Sequence, residues 1–341
     1  MPFLAEQHQS RNNDKQSPRR DFDPDSLAAR LGSRVLGQDT AVAAVVRALS
    51  LSAVGANDPD RPLANLLLVG PTGVGKTELV RRVAAELRAG PDDLCRIDMN
   101  ALAQEHYAAS FSGAPPGYAG SKEAYSLFDR TTVEGDAYRP GIVLFDEVEK
   151  AHSTVLRALL QVLDSGTLRL ASGQQTLSFR NTLVFMTSNL GSAQLARRGR
   201  VWWRRGRAGA RLAARGDRTV LQAAIRDFFD PEFLNRIDET AVFTELDHTT
   251  AHAVTELEID LLARRLSRRK IELEVTGAVA DLVFARGFDP VYGTRALRRA
   301  IRTTLAEPVA IAVLRARGTS SDPVTVHADV RDGEVRTHVD T

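Results

Sequence analysis

Cysteine is almost missing from this chain: Cys95 is the only one among 341 residues. Neither a disulfide framework nor a cysteine-built zinc site can be assembled from it, and a reducing cytoplasm is the expected setting. Long apolar runs are missing too. The most apolar helical stretch, Ala41 to Val54, is interrupted by Arg47, Ser50 and Ser52, so no membrane-spanning helix is expected. Nor does one sign of charge dominate. Lys and Arg number 45 against 43 Asp and Glu, a formal net charge of +2 that does not by itself indicate nucleic acid as a partner. Met1 to Pro24 are polar and charged without an apolar core, so a disordered tail is expected there rather than a signal peptide. The length suits about two domains.

What is present begins with a glycine-rich turn. Gly70-Pro71-Thr72-Gly73-Val74-Gly75-Lys76-Thr77 follows the apolar run Leu66 to Val69 and opens into a helix-forming stretch, Glu78 to Arg88. This is the strand, G-x-x-x-x-G-K-[ST], helix arrangement, in which backbone N–H groups and the helix dipole favour anionic phosphates. Lys76 is expected to reach the β/γ oxygens of ATP and Thr77 to hold Mg²⁺. The competing reading, a glycine turn with an incidental lysine, is weakened by the strand before and the helix after.

A second element supplies carboxylates. Gly141-Ile142-Val143-Leu144-Phe145-Asp146-Glu147 reads as a parallel strand buried on both faces and ending in two acids, at the edge where α/β sheets bind ligands. Asp146 is the expected Mg²⁺ partner and Glu147 the expected base that polarises the attacking water; adjacent strand residues project to opposite sides, which lets the pair divide these tasks. The alternative is a pair of solvated acids at a strand end.

Strand and helix alternate up to Leu190, which implies a parallel, doubly wound sheet. From His248 onwards the pattern is helical: Ala251 to Leu266, Gly277 to Arg286, then Thr294 to Arg315. Pro323 to Val339 alternates around Asp332-Gly333 and reads as a terminal hairpin.

Several segments in order resemble one family. They are Val35-Leu36-Gly37-Gln38-Asp39, Asp146-Glu147-Val148-Glu149-Lys150-Ala151-His152, Leu159-Leu160-Gln161-Val162-Leu163-Asp164 and Met186-Thr187-Ser188-Asn189-Leu190-Gly191-Ser192. Asp230-Pro231-Glu232-Phe233-Leu234-Asn235-Arg236-Ile237-Asp238-Glu239 and Phe288-Asp289-Pro290-Val291-Tyr292-Gly293-Thr294-Arg295 continue the series. The chain resembles the Clp branch of the AAA+ ATPases, and within it the second ATPase module of ClpB and ClpA. The resemblance implies an α/β phosphate-loop ATPase domain over 25–246 and a small, mostly helical lid with a terminal hairpin over 247–341.

It also implies roles. Asn189 is similar to sensor 1, the neutral amide beside the γ-phosphate; a turn-forming Asn before Gly191 is the other reading. Arg236 resembles the arginine finger delivered to a neighbouring subunit, against a surface ion pair with Glu232 or Asp238. Arg295 resembles sensor 2, the lid arginine that reports the γ-phosphate. Arg298, Arg299 and Arg302 read as a solvated face. Val35 and Leu36 resemble the adenine-contacting box, or are core.

Gly113-Ala114-Pro115-Pro116-Gly117-Tyr118-Ala119-Gly120 sets an aromatic between glycines on a loop stiffened by paired prolines. In the relatives the tyrosine of such a loop lines the pore of a hexameric ring and grips extended polypeptide; here Ala119 stands where they carry valine, so a shallower grip is expected. The other reading is a surface turn with Tyr118 packed back. Residues 196–220 hold Trp202-Trp203 and many arginines, and no Ile-Gly-Leu or Ile-Gly-Phe peptidase-docking tripeptide occurs there. Such an insert suits nucleic acid, an acidic protein or a membrane surface, or is a solvated loop. The N-terminal domain, first ATPase module and coiled-coil middle domain of ClpB are not visible, so a full disaggregase cycle is not expected. Two functions follow from the resemblance: a homohexameric ATP-driven motor that threads protein substrates, or a nucleotide-gated switch or adaptor recruiting a partner through the insert.

Overall fold

The computed structural model describes residues 22–104, 111, 127–169, 176–192, 219–289, 293–317 and 322–340. Helices α1 (Pro24–Gly32) and α2 (Asp39–Ala53) precede strand β1 (Ala64–Val69), and the phosphate-loop helix α3 (Lys76–Leu87) follows it. Then come β2 (Cys95–Asp98), β3 (Gly141–Asp146), α4 (Ser153–Ser165), a short hairpin of β4 (Thr167–Arg169) and β5 (Thr176–Ser178), β6 (Thr182–Ser188) and β7 (Glu239–Val242).

Five of these strands form one parallel sheet in the order β2-β3-β6-β1-β7. Continuous apolar sequence in β1, β3 and β6 has a simple cause: both faces are covered. Leu67, Val69, Val143, Phe145, Val184 and Met186 belong to the core that includes Val155 and Leu159 of α4. The alternate residues Leu66, Leu68, Ile142, Leu144, Leu183 and Phe185 face the core built on α1, α2 and α3. All five strands run the same way, so Gly70, Glu147 and Asn189, each just past a strand, are gathered at one edge of the sheet.

The rest of the chain builds a second layer structure. Helices α5 (His248–Ser267), α6 (Gly277–Gly287), α7 (Thr294–Ile301) and α8 (Glu307–Arg317) accompany β8 (Ile271–Val275), β9 (Val324–Arg331) and β10 (Glu334–Asp340). The expected hairpin is present, with Asp332 at φ 54 and Gly333 at φ 73, the left-handed pair of a tight two-residue turn. It does not stand alone. β8 pairs parallel with β9, Ile271 against Val324, to give a three-stranded sheet, so this region is less purely helical than its sequence pattern suggests. The helix expected from Thr294 to Arg315 is present as one continuous run, α7 passing through a π-helical turn over Arg302–Ala306 into α8. No described helix is long and apolar enough to cross a membrane.

Candidate active site

The phosphate loop is held between two strands. Gly70 N–H donates to the Ser188 carbonyl at 3.2 Å, and Phe243 N–H donates to Val69 at 2.7 Å. Gly70 has φ 151 and a Cβ there would strike the Phe243 backbone, so glycine is required. Gly75, at φ 107, turns the chain into α3.

Lys76, the first residue of α3, is buried, and its Nζ donates to the carbonyls of Gly70 (2.6 Å) and Pro71 (2.7 Å) and to Asn189 Oδ1 (2.8 Å). All three of its protons therefore have acceptors. Burial pulls its pKa down to about 8; the carboxylates of Glu149, Asp146 and Glu147 work against that fall, and the charge of Arg295 adds to it.

Asn189 ties this lysine to the β3 acids. Its Oδ1 also faces the Thr72 hydroxyl at 3.4 Å, its Nδ2 donates to Glu147 Oε1 at 3.2 Å, and its N–H donates to Glu149 Oε1 at 3.0 Å. It makes a turn as well, its carbonyl accepting from Ser192 N–H at 3.1 Å, as the turn-forming reading expects. Glu147 is left-handed (φ 60, ψ 54), a conformation costly for a non-glycine residue. Thr187 supports it: its buried hydroxyl accepts the Glu147 N–H at 2.9 Å and donates to Asp146 Oδ1. The other oxygen of Asp146 is held by Arg96, Nε at 3.1 Å and Nη2. Thr187, Glu149 and Arg96 have no role assigned from sequence; Thr187 and Glu149 lie inside segments that carry the resemblance, and Arg96 acts across strands, where spacing carries no signal.

Thr77 follows Lys76 in the first turn of α3. The Thr77 hydroxyl and the Asp146 carboxylate are hard oxygen donors of the kind Mg²⁺ takes. Glu149 Oε2 is buried without a hydrogen-bond partner, which adds uncompensated negative charge beside them. The residues present fit a nucleotide-bound Mg²⁺.

The lid region touches the loop directly. Thr294 N–H donates to the Gly73 carbonyl at 2.9 Å, and Arg295, exposed, is the next residue of α7. Val35 is buried, with its Cγ1 3.3 Å from where a Gly75 Cβ would stand, and Leu36 packs with Ala251, Val254, Phe284 and Leu297 between the two parts of the chain. Arg298 is exposed yet paired, 2.6 Å from Glu258 and 3.9 Å from Glu78 of α3, so a purely solvated reading does not describe it.

Arg236 is not brought to this cluster. Its side chain stands 2.7 Å from Asp164, not against Glu232 or Asp238, and its carbonyl accepts from Asn65 Nδ2 at 3.0 Å. Asn65 is the second residue of β1 whereas the loop follows its end; the extended chain between Asn65 and Gly70 covers about 16 Å. Gly117, Tyr118, Ala119 and Gly120 lie outside the described residues, as does 196–218 of the insert.

Known proteins resemble this chain in sequence. The family model for the AAA domain (Cdc48 subfamily) matches residues 61–240, and that for the C-terminal, D2-small domain of ClpB protein matches 246–326. An "ATP-dependent protease ATP-binding subunit-like protein" of Rhodococcus erythropolis is 60% identical over 338 residues, 96% of each chain. The similarly named protein AmiB of Pseudomonas aeruginosa is 45% identical over 293 residues, 85% of this chain and 79% of its own. Chaperone protein ClpB of Propionibacterium freudenreichii is 41% identical over 303 residues, 88% of this chain but 33% of its own, so the chain spans about a third of that relative.

Proposed function

The chain belongs to the AAA domain family, is an ATPase of ClpB-like kind, and on that premise we propose that it works as an oligomeric ring, a hexamer, hydrolysing ATP between subunits to remodel protein substrates. Residues 25–246 form the ATPase body and 247–341 the lid. The observation that carries the reading is the position of Arg236, at the far end of β1 from its own phosphate loop. An arginine finger there serves a neighbour's nucleotide, never its own.

Within one subunit the roles follow from the contacts. The loop N–H groups and the ammonium of Lys76, exchanging the Gly70 and Pro71 carbonyls for phosphate oxygens, hold the triphosphate. Thr77 and Asp146 would hold Mg²⁺, which when bound would supply positive charge against the charge developing on the phosphates. Glu147, aimed by Asn189 and by its own left-handed backbone, takes the proton of the attacking water. Arg295 enters from the lid side toward the γ-phosphate, and Val35 and Leu36 flank the base. Tyr118 grips the polypeptide in the pore, and a reducing cytoplasm suits the free, buried Cys95.

A second reading draws on the names of two relatives, each described as similar to the ATP-binding subunit of an ATP-dependent protease. A peptidase partner for this chain would be recruited without an Ile-Gly-Leu or Ile-Gly-Phe tripeptide, and 196–220 is the segment offered for that partner, for nucleic acid or for another acidic protein. Tyr118→Ala separates the motor, with or without a peptidase, from a nucleotide-gated switch that recruits through the insert: lost unfolding with retained ATPase supports the motor, and wild-type behaviour in every assay, with only deletion of the insert having an effect, supports the switch.

The ring is tested by mixing two silent variants. Arg236→Ala alone is expected to lower turnover by about 10³-fold or more, and Lys76→Ala to lose nucleotide. Mixed, they are expected to regain turnover, because a Lys76→Ala subunit still lends Arg236 to its neighbour's intact loop. A mixture that stays silent, or an Arg236→Ala protein at full speed, would overturn the proposal.

A further inference from the structure

Asp146 has no idle oxygen. Thr187 donates to Oδ1, and both Nε and Nη2 of Arg96 converge on Oδ2. Arg96 reaches it along the sheet: on β2 it is in register with Leu144 of β3, two residues before Asp146. The arginine side chain is 55% exposed and the aspartate 13%, so the guanidinium covers the carboxylate from the solvent side.

The surrounding charges give this contact a purpose. Asp146, Glu147 and Glu149 stand together near Lys76, whose ammonium is committed to Gly70, Pro71 and Asn189. Three carboxylates against one buried ammonium and the charge of Arg295 still leave excess negative charge. A divalent cation arriving with nucleotide would offset it; before that, Arg96 is the cation in contact with Asp146.

We propose that Arg96 is a positioning residue, a tethered counter-cation that occupies Asp146 until Mg²⁺ takes its place and that sets the metal affinity of the site by competition. This rests on Asp146 being the metal carboxylate. Competition suits the geometry, because the guanidinium lies on a flexible, half-exposed side chain that solvent and salt can draw away, while a phosphate-borne divalent ion carries twice the charge. It also fixes the sign of the effect. A competitor's removal tightens metal binding; removal of a mere brace for Asp146 leaves it unchanged or loosens it.

The experiment is a titration of Mn²⁺ into the full chain charged with one equivalent of ADP, free Mn²⁺ being read by electron paramagnetic resonance. Arg96→Gln is expected to bind Mn²⁺ about three- to tenfold more tightly than the wild type. Arg96→Lys keeps the charge and is expected to remain within about twofold of wild type. Unchanged or weaker binding by Arg96→Gln, or a lysine variant as tight as the glutamine one, would overturn the inference; thermal melts of both variants confirm that the fold is intact. Asp146→Asn keeps the two failures apart. If it binds Mn²⁺ as the wild type does, the metal assignment falls and the inference with it. If it loses Mn²⁺ while Arg96→Gln changes nothing, only the inference falls.

Discussion

The two ends of β1 carry polar networks of opposite character. At the C-terminal end Lys76, Asn189, Glu147 and Glu149 hydrogen-bond inward, and the lysine is nearly sealed from solvent. At the N-terminal end Arg61, Asn65, Asp164, Arg236 and Asp238 meet around the strand's first residues, and the facing side chains of Arg236 and Asp164 are 35% and 52% exposed. One end ties its groups to one another within a chain; the other leaves the partly exposed Arg236 beside a half-solvated partner. Burial raises the stakes of a charge and exposure lowers them, so the first end commits its groups to one arrangement while the second can exchange partners at small cost.

The largest effect that bears on this contrast comes from Glu147→Gln, expected to cut turnover by about 10²- to 10⁴-fold while nucleotide stays bound. Mixed with Lys76→Ala subunits it should remain silent, unlike Arg236→Ala, because a base resident in its own chain cannot be lent. Recovery in that mixture, followed by phosphate release, would erase the distinction between the two ends.

A second effect concerns pH. Phosphates favour the charged ammonium, so Lys76 titrates above about 8 with nucleotide and near that value without it. Between the two values binding takes up a proton, and affinity for ADP should fall by up to about tenfold per pH unit. Calorimetry in buffers of different ionisation heat checks the proton. The stability sign is the reverse of an ordinary salt bridge. Burial penalises the charged lysine in the nucleotide-free fold, so stability is reduced below about pH 8 and recovers as pH rises toward the ordinary value of 10.5; Lys76→Met should remove that slope.

The smallest expected effect is at the other end. Asp164→Asn breaks a half-exposed pair and should change stability by no more than about 1 kcal/mol, with turnover within about twofold of wild type. A large loss in either would mean that Arg236 is fixed in place like the groups at the loop.

This contrast also separates what could be read in the sequence from what could not. The phosphate loop, β1 and β3 were legible because their signals are local: glycines where the backbone demands positive φ, and apolar runs where a strand is covered twice. The Asp332-Gly333 turn was legible for the same reason. β8 was not, because Ile271-Glu272-Leu273-Glu274-Val275 is short, lies between helices, and is a strand only by pairing with β9 far along the chain. The π-turn after Ile301 has only an indirect mark, Pro308 in the first turn of α8, whose ring nitrogen offers no N–H to the preceding turn. Arg96 on Asp146, and Asp164 rather than Glu232 or Asp238 on Arg236, are contacts between elements, so no spacing announces them.

The hydrogen bond from Thr294 to the Gly73 carbonyl has a mechanical consequence. The Gly73 carbonyl and the Val74 N–H belong to one planar trans amide and point in opposite directions. With the oxygen hooked to the start of α7, the hydrogen is turned to the side away from it. An anion seated on that hydrogen would tilt the plate and tug α7, and its departure would let the plate swing back, a rocker one peptide wide.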